Sequence, residues 1–229
     1  MPDVIFAGPA GRLEGRYSHA KVAGAPLAIV LHPAPKHGGD MNNAMTRLLY
    51  QAFMVRGFSV LRFNFRGVGR SEGEFCGEEG EIADAASALD WMQDINRAAP
   101  CTWVAGYSFG ALVGMQLLMR RPEVAGFVSV APPANLHDFT FLAPCPTPGL
   151  ILQGGQDTIV HEPAVAELAR FIHAQKGIEV DYRVISQANH FFHNCGEEVM
   201  RHVHDHLNAA GAGRRVPLQA QQQRLAGAA

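Results

Sequence analysis

Three side chains in this sequence have the types and the order that nucleophilic catalysis by a hydroxyl group requires: Ser108, Asp157 and His190. A serine hydroxyl becomes an effective nucleophile when an imidazole takes its proton, and a carboxylate then orients the imidazole and stabilises its positive charge. We therefore predict Ser108 as the nucleophile, His190 as the general base and Asp157 as the acid that supports the base.

The serine lies in the pattern Gly-x-Ser-x-Gly at 106–110. Residues 102–105 suit a buried strand, and residues 111–119 have apolar side chains at helical spacing. A sharp strand-to-helix turn strains the serine backbone and exposes its hydroxyl, and it leaves room only for very small residues two positions before and after. A glycine-rich turn without chemistry has the same local pattern, so the partners of the serine must decide between these interpretations.

Both partners follow predicted strands. Asp157 comes after the apolar segment Leu150–Gln153 and two glycines, and His190 lies in the loop after Val180–Ile185. In a parallel sheet, functional groups gather in the loops at the carboxyl ends of the strands. Taken singly, Asp157 also suits the cap of the following helix, and His190 is one of 11 histidines. The occurrence of all three residues in order, each after a strand, favours the catalytic interpretation.

Two backbone N–H groups are predicted to stabilise the negative oxygen that develops on an attacked carbonyl group. One belongs to Phe109, directly after the nucleophile at the start of a helix. The other belongs to the loop after His32, where two prolines lack an N–H and Ala34 is the first residue that can donate. The predicted oxyanion hole therefore consists of the N–H groups of Ala34 and Phe109.

The candidate substrate pocket rests on weaker signals. We assign it five side chains: His32, Phe139, Phe141, Leu142 and Phe191. The histidine is expected to shape its loop by hydrogen bonding, and burial in the core explains each apolar side chain equally well. The segment 132–148 has 17 residues, too few for an independent cap, so we expect an open site.

The elements that must position these residues alternate between strand and helix patterns. This alternation predicts an α/β fold, with a mainly parallel sheet covered on both faces by helices. Strands are predicted at Val4–Phe6, Leu13–Tyr17, Leu27–Leu31, Phe58–Asn64, 102–105, Phe127–Ala131, Leu150–Gln153 and Val180–Ile185. Helices are predicted between Asn42 and Gly57, at Glu78–Arg97, after Ser108, at Pro163–Gln175 and at Glu197–Leu207. We expect one domain at 1–210 and a C-terminal tail at 211–229 that is either disordered or a short helix packing on a partner.

The composition limits the partners. A net charge of −2 and a pI near 6.6 favour neither nucleic acid nor an anionic membrane. No apolar run approaches the roughly 20 residues that span a bilayer, and the N-terminus does not resemble a secretory signal. The four cysteines are scattered, which predicts reduced thiols and a cytoplasmic protein: Cys76, Cys101, Cys145 and Cys195.

No cofactor is expected. The pattern Gly67-Val68-Gly69 lacks the third glycine of a dinucleotide-binding fingerprint, so it is interpreted as a turn. The predicted chemistry requires neither a cofactor nor a metal. The expected partner is a small-molecule acyl ester or thioester, and the sequence leaves open whether the chain forms a homodimer.

Across about residues 27–207 the chain resembles the α/β-hydrolase superfamily, specifically the small bacterial hydrolases without a large cap domain. The resemblance implies an eight-stranded, mostly parallel sheet with helices on both faces, no large lid domain and carboxylester hydrolase chemistry. The chain departs from the family pattern at Ala34, where a bulkier residue or a histidine is expected. Because the proposed oxyanion donor at this position is a backbone N–H, the departure affects pocket shape more than catalysis. The segments that carry the resemblance are His32-Pro33, Gly38–Asn43, Arg62–Ser71, Gly106–Gly110, Asp157 and Asn189–Phe192.

The expected activity is therefore hydrolysis of esters or thioesters of short to medium acyl chain through an acyl-enzyme intermediate. An acyltransferase or a small-peptide hydrolase uses the same three residues, and a non-catalytic binding module keeps the same fold. A metal-dependent hydrolase is a more distant alternative: His202 and His206 have a spacing that could hold a metal, but the sequence shows no third ligand.

Overall fold

A computed structural model describes residues 3–175 and 178–213, and a single eight-stranded sheet runs through its centre. The strands are β1 (Asp3–Gly8), β2 (Gly11–Ser18), β3 (Leu27–Leu31), β4 (Ser59–Phe63), β5 (Thr102–Tyr107), β6 (Val124–Val130), β7 (Gly149–Gly154) and β8 (Val180–Ile185). The helices are α1 (Ala44–Val55), α2 (Glu79–Ile95), α3 (Phe109–Leu118), α4 (Glu162–His173) and α5 (Gly196–Ala209). The predicted strands and helices are confirmed to within a few residues.

The order of the strands in the sheet brings two functional loops together. The order is β1-β2-β4-β3-β5-β6-β7-β8; β1, β2 and β4 pair antiparallel, and the remaining pairs are parallel. The chain runs outward from β3 to β4 and then returns to place β5 on the other side of β3. Ligands of open α/β sheets bind at such a reversal, outside the carboxyl ends of the strands. Leu31 at the end of β3 pairs with Gly106 near the end of β5, so the loops that follow these two strands are neighbours.

The central strands are buried on both faces, which explains their continuous apolar sequence. In β3 every residue is buried; Leu27, Ile29 and Leu31 face one helical layer, and Ala28 and Val30 face the other. The first layer contains α2, α3 and α4, and the second contains α1 and α5. The sheet is therefore a rigid platform for the loops at its carboxyl edge.

The connection between β6 and β7 contains no cap domain. It holds one short 3-10 helix at Thr140–Leu142, and a second short 3-10 helix follows β3 at Pro35–His37. Neither 3-10 helix was predicted. The expected eight-stranded, mostly parallel sheet with helices on both faces and no large lid is confirmed among the described residues.

The end of α5 is attached to α1. The guanidinium of Arg56, which is almost fully buried, donates to Asn208 Oδ1 at 2.7 Å and to the carbonyl oxygen of Ala212 at 2.5 Å. The predicted tail at 211–229 lies outside the described residues except for 211–213. Within the described residues, no helix combines the length and apolar composition that a membrane span requires.

Candidate active site

Ser108 occupies the turn between β5 and α3 in a strained backbone conformation. Its φ is +53° and its ψ is −119°, a region that non-glycine residues rarely adopt and that costs about 1–3 kcal/mol. The N–H of Ser108 donates to the carbonyl of Val130 on β6 at 2.8 Å, which helps hold the turn. A Cβ atom on Gly106 would overlap the carbonyl of Gly110, and one on Gly110 would overlap the carbonyl of Leu31. Glycines at both positions are thus required by close backbone approach.

His190 and Asp157 form a buried hydrogen-bonded pair. The imidazole Nδ1–H donates to Asp157 Oδ2 at 2.8 Å, which leaves Nε2 available for a proton from another group. The other carboxylate oxygen accepts the backbone N–H groups of Ile159 at 2.9 Å and Val160 at 2.8 Å. The aspartate therefore supports its own loop and the histidine at the same time.

The surroundings of Asp157 keep it ionised. Burial by itself raises the pKa of this carboxyl group, but the hydrogen bonds from His190 and from the backbone of Val160 and Ile159 outweigh burial, so its pKa lies below the usual value. The amide of Gln153, fully buried on β7, also donates to Asp157 Oδ2 at 3.2 Å. An ionised carboxylate in this position stabilises an imidazolium as it forms.

Ser108 and His190 line the same cavity, whose volume is about 400 Å³. In the described part of the chain, the Ser108 hydroxyl makes no hydrogen bond to the imidazole. Such contacts are often long in unliganded enzymes and shorten when substrate binds. The structure thus brings the three predicted catalytic residues to one edge of the sheet, with the acid–base contact already formed.

Tyr107 holds the loop that carries His190, a contact that sequence reasoning missed. Its hydroxyl donates to the carbonyl oxygen of His190 at 2.8 Å, and the two rings lie 5.4 Å apart. Burial raises the pKa of this phenol strongly, and the charge of Asp157 raises it further, so the hydroxyl stays protonated and donates. The signal in the sequence was a tyrosine inside a buried strand, because a buried hydroxyl normally needs a partner.

The two predicted oxyanion donors both lie at the cavity wall. Ala34 and Phe109 line the cavity, and neither N–H donates to another group among the described residues. The loop of Ala34 is closed by its own carbonyl, which accepts the N–H groups of His37 at 3.0 Å and Gly39 at 3.1 Å. A Cβ atom on Gly39 would overlap the carbonyl of Pro33, so this tight loop requires glycine there.

His32 lies beneath this loop and does not line the cavity. Its Nδ1–H donates to the carbonyl of Pro33 at 2.7 Å, and its Nε2 accepts the N–H of Phe65 at 3.1 Å. Burial lowers the pKa of His32 to about 4, although the Pro33 carbonyl and the charge of Asp40 oppose this shift. The imidazole is therefore neutral and connects the loop after β3 to the loop after β4.

The structure places most of the predicted pocket residues elsewhere. Phe191 lines the cavity, but Phe139 and Leu142 are buried in the core and Phe141 packs against it, because the 3-10 helix at 140–142 folds down onto the α3 layer. The apolar side chains at the cavity mouth come instead from three separate loops. They are Leu136, Ile159 and Phe191, which are 60%, 44% and 58% exposed.

Comparisons with known proteins agree with this architecture. A family model described as the alpha/beta hydrolase fold matches residues 28–146, slightly more than half of the chain. The chain belongs to the α/β-hydrolase family.

Three proteins similar to this α/β-hydrolase match it over nearly their whole length. An uncharacterized protein of Rickettsia prowazekii is 47% identical over 211 residues, covering 90% of this chain and 89% of that protein. A protein of unknown function from Agrobacterium tumefaciens has a TM-score of 0.90 and 53% identity, covering 94% of this chain and 99% of that one. A serine hydrolase without a lid from Xanthomonas campestris has a TM-score of 0.82 and 27% identity, covering 94% and 96%.

In this α/β-hydrolase the segment Arg62–Ser71 supports the site and does not line it. Asn64 accepts the N–H of Met41 at 2.7 Å and donates to the buried Glu14 at 2.6 Å. Arg66 binds the buried carboxylate of Asp84 through its guanidinium at 2.7 Å. The contact with Met41 ties the loop after β4 to the loop that leads into α1, and the other contacts anchor the loop after β4 to β2 and α2.

Proposed function

We propose that this α/β-hydrolase cleaves carboxylic esters or thioesters of short to medium acyl chain, with Ser108 as the nucleophile. The observation that carries the proposal is the 2.8 Å hydrogen bond between His190 and Asp157 in a cavity that Ser108 also lines from a strained turn. A group that must attack a carbonyl carbon needs this combination of exposure, an adjacent base and an oriented imidazole.

In the first step of the proposed reaction, the Ser108 oxygen attacks the carbonyl carbon and its proton moves to His190 Nε2. The carbonyl double bond becomes a single bond to a negative oxygen, which the N–H groups of Ala34 and Phe109 stabilise. When this intermediate collapses, the bond to the alcohol or thiol breaks and His190 returns the proton to the leaving group. The products of this step are a free alcohol or thiol and an acylated Ser108.

Water completes the cycle. His190 takes a proton from a water molecule, whose oxygen attacks the acyl carbon through a second tetrahedral intermediate. The bond to Ser108 then breaks, the proton passes from His190 to the serine oxygen, and the carboxylic acid leaves. Removal of one oxyanion donor costs about 2.7–4 kcal/mol in a reaction of this type, or roughly 10^2–10^3-fold in kcat, so each N–H group makes a substantial contribution beside the side chains.

The shape and lining of the cavity support an acyl substrate. A volume of about 400 Å³ is at the small end of the range for ligand pockets, and three exposed apolar side chains surround its mouth. A short acyl group fits inside, and a longer chain can extend across this apolar rim. The lysophosphatidylserine lipase ABHD12 of Rattus norvegicus is 29% identical to this chain over 124 residues. The match covers 54% of this chain and 30% of the lipase. That name supports acyl ester chemistry in general.

The direct test is labelling with a fluorophosphonate, which reacts with activated serines. We expect one label per chain on Ser108, located by mass spectrometry, and no label in the Ser108→Ala variant. Ser186→Ala, in an exposed loop outside the cavity, is the matched control and should label like the wild-type protein. Absence of label on Ser108 together with no turnover of p-nitrophenyl butyrate would rule out the proposed nucleophile.

A further inference from the structure

A second histidine–carboxylate pair lies at the same cavity. His137 lines the cavity, and its Nδ1–H donates to Glu78 Oε1 at 2.8 Å. The other oxygen of Glu78 accepts the side-chain amide of Gln116 on α3. Glu78 itself does not line the cavity, so it supports the ring from behind.

This arrangement leaves one polar atom of the ring for a ligand. Because Nδ1 is bound to Glu78, only Nε2 remains, and within the described residues it makes no hydrogen bond to protein. The backbone N–H of His137 donates to the carbonyl of Pro133 at 3.0 Å, so the residue is held through both backbone and side chain. An imidazole that is oriented by a carboxylate but not used by the protein is suited to bind a substrate group.

We propose that His137 Nε2 binds a hydroxyl group on the alcohol part of the substrate, which makes hydroxylated esters the preferred class. This inference rests on the proposed ester hydrolysis. The nitrogen accepts a hydrogen bond when the ring is neutral and donates one when it is protonated, and a hydroxyl is able to do both. An anionic group is disfavoured because the negative charge of Glu78 lies directly behind the ring.

The position of His137 favours the alcohol part over the acyl part. The apolar rim of Leu136, Ile159 and Phe191 suits a hydrocarbon chain, whereas the His137 ring offers a polar group beside that rim. The alcohol leaves into water after the first step, while the acyl group stays on Ser108. The polar ring of His137 therefore suits the alcohol part, and the apolar rim suits the acyl chain.

The test compares 2-hydroxyethyl butyrate with n-propyl butyrate, which have the same number of heavy atoms and differ in a terminal hydroxyl against a methyl. We expect kcat/KM of the wild-type enzyme to be about tenfold higher for the hydroxylated ester. The ratio should fall towards one in His137→Leu and by a smaller factor in Glu78→Gln, which keeps the ring but weakens its support. His173→Leu, an exposed histidine near the end of α4, is the control and should keep the wild-type ratio.

An equal ratio in wild type and His137→Leu would overturn the inference. A preference for the carboxylate-bearing ester butyryloxyacetate that disappears in His137→Leu would also overturn it, in favour of an anion site. Saturation-transfer NMR on Ser108→Ala measures binding of the two butyrates without turnover. If no ester is hydrolysed, the proposed function fails, and the binding difference between Ser108→Ala and Ser108→Ala/His137→Leu still decides the role of His137.

Discussion

Two histidine–carboxylate pairs border one cavity, and they differ mainly in how far water reaches them. In both, Nδ1–H donates to a carboxylate oxygen at 2.8 Å. The side chains of His190 and Asp157 are 9% and 0% exposed, whereas those of His137 and Glu78 are 34% and 37% exposed. A buried pair is electrostatically coupled more strongly than an exposed one, because less water screens the charges.

Hydrogen-bond geometry alone therefore does not assign a catalytic role to a histidine. The His190 pair has additional support: two backbone N–H groups and Gln153 bind Asp157, and Tyr107 holds the histidine loop. Among the described residues, the His137 pair has two further contacts: Gln116 donates to Glu78, and the N–H of His137 donates to the carbonyl of Pro133. We interpret the first pair as the base of the reaction and the second as a substrate contact.

Removal of each histidine should separate the two pairs most clearly. His190→Ala should lower kcat on p-nitrophenyl butyrate by about 10^6-fold, because loss of the base inactivates the nucleophile. His137→Leu should change kcat on the same ester less than about threefold, because p-nitrophenyl butyrate has no hydroxyl on its alcohol part for Nε2 to bind. Steady-state kinetics measure both effects. Losses of similar size in the two variants would show that the pairs are not functionally distinct.

Neutral replacement of each carboxylate is the next test. Asp157→Asn keeps an oxygen for the N–H groups of Ile159 and Val160 but places an amide against His190 Nδ1, which favours the wrong tautomer. We expect a loss of about 10^4-fold in kcat. Glu78→Gln is the matched change at the second pair and should lower kcat by less than tenfold on the same substrate. An Asp157→Asn enzyme that retains a tenth of wild-type kcat would contradict the assignment of the acid.

A third histidine isolates the effect of burial, because His32 is fully buried and both of its hydrogen bonds are to backbone groups. Its pKa is about 4 in the folded chain and about 6.5 in the unfolded chain, so between these values only the unfolded chain takes up the proton. The free energy of unfolding therefore falls with decreasing pH, and His32 contributes about 2 kcal/mol of the fall between pH 7 and pH 5. Urea unfolding of wild type and His32→Gln at both pH values measures it. A fall of equal size in the two proteins would contradict this pKa.

The smallest expected effect concerns the loop that holds the buried pair. Tyr107→Phe removes the donor to the His190 carbonyl and leaves a buried oxygen unpaired. We expect the free energy of unfolding to decrease by about 1 kcal/mol and kcat to fall about tenfold, since the base is held less firmly. Tyr182→Phe removes a hydroxyl that donates to Glu162 at 2.7 Å outside the cavity, and it should leave kcat unchanged. Equal kcat values in the two variants would mean that Tyr107 does not position His190.

Much of the fold was predictable because the signals are local. A continuous apolar run such as Leu27–Leu31 indicates a strand buried on both faces, and apolar residues at helical spacing indicate a helix with one covered face. The glycines at 106 and 110 were predicted from the shape of the turn, and the overlap of a Cβ atom at either position explains them. The catalytic roles of Ser108, Asp157 and His190 stay predictions that the kinetics above must test.

The pocket was less predictable because equally apolar side chains can face either the core or the cavity. Phe139 and Leu142 are apolar, as residues that line an acyl pocket are expected to be, but the loop between β6 and β7 folds so that both are buried in the core. Leu136 and Ile159 carry no local signal, and only the approach of two loops brings them to the same mouth. The side chain of Asn135, in the loop after β6, donates to the carbonyl of Ile159, in the loop after β7, at 3.0 Å and so joins the two loops.

By itself, the sequence determined the alternation of strands and helices, the strained turn at Ser108 and the order of the three candidate catalytic residues. These features depend on side-chain period, glycine spacing and position after a strand, all of which are local. Only the tertiary structure decided that Tyr107 holds His190 from 83 residues away and that Glu78 orients His137 from 59 residues away. Contacts of this kind depend on how the sheet and its loops pack, because any tyrosine or glutamate of suitable reach satisfies the local pattern equally well.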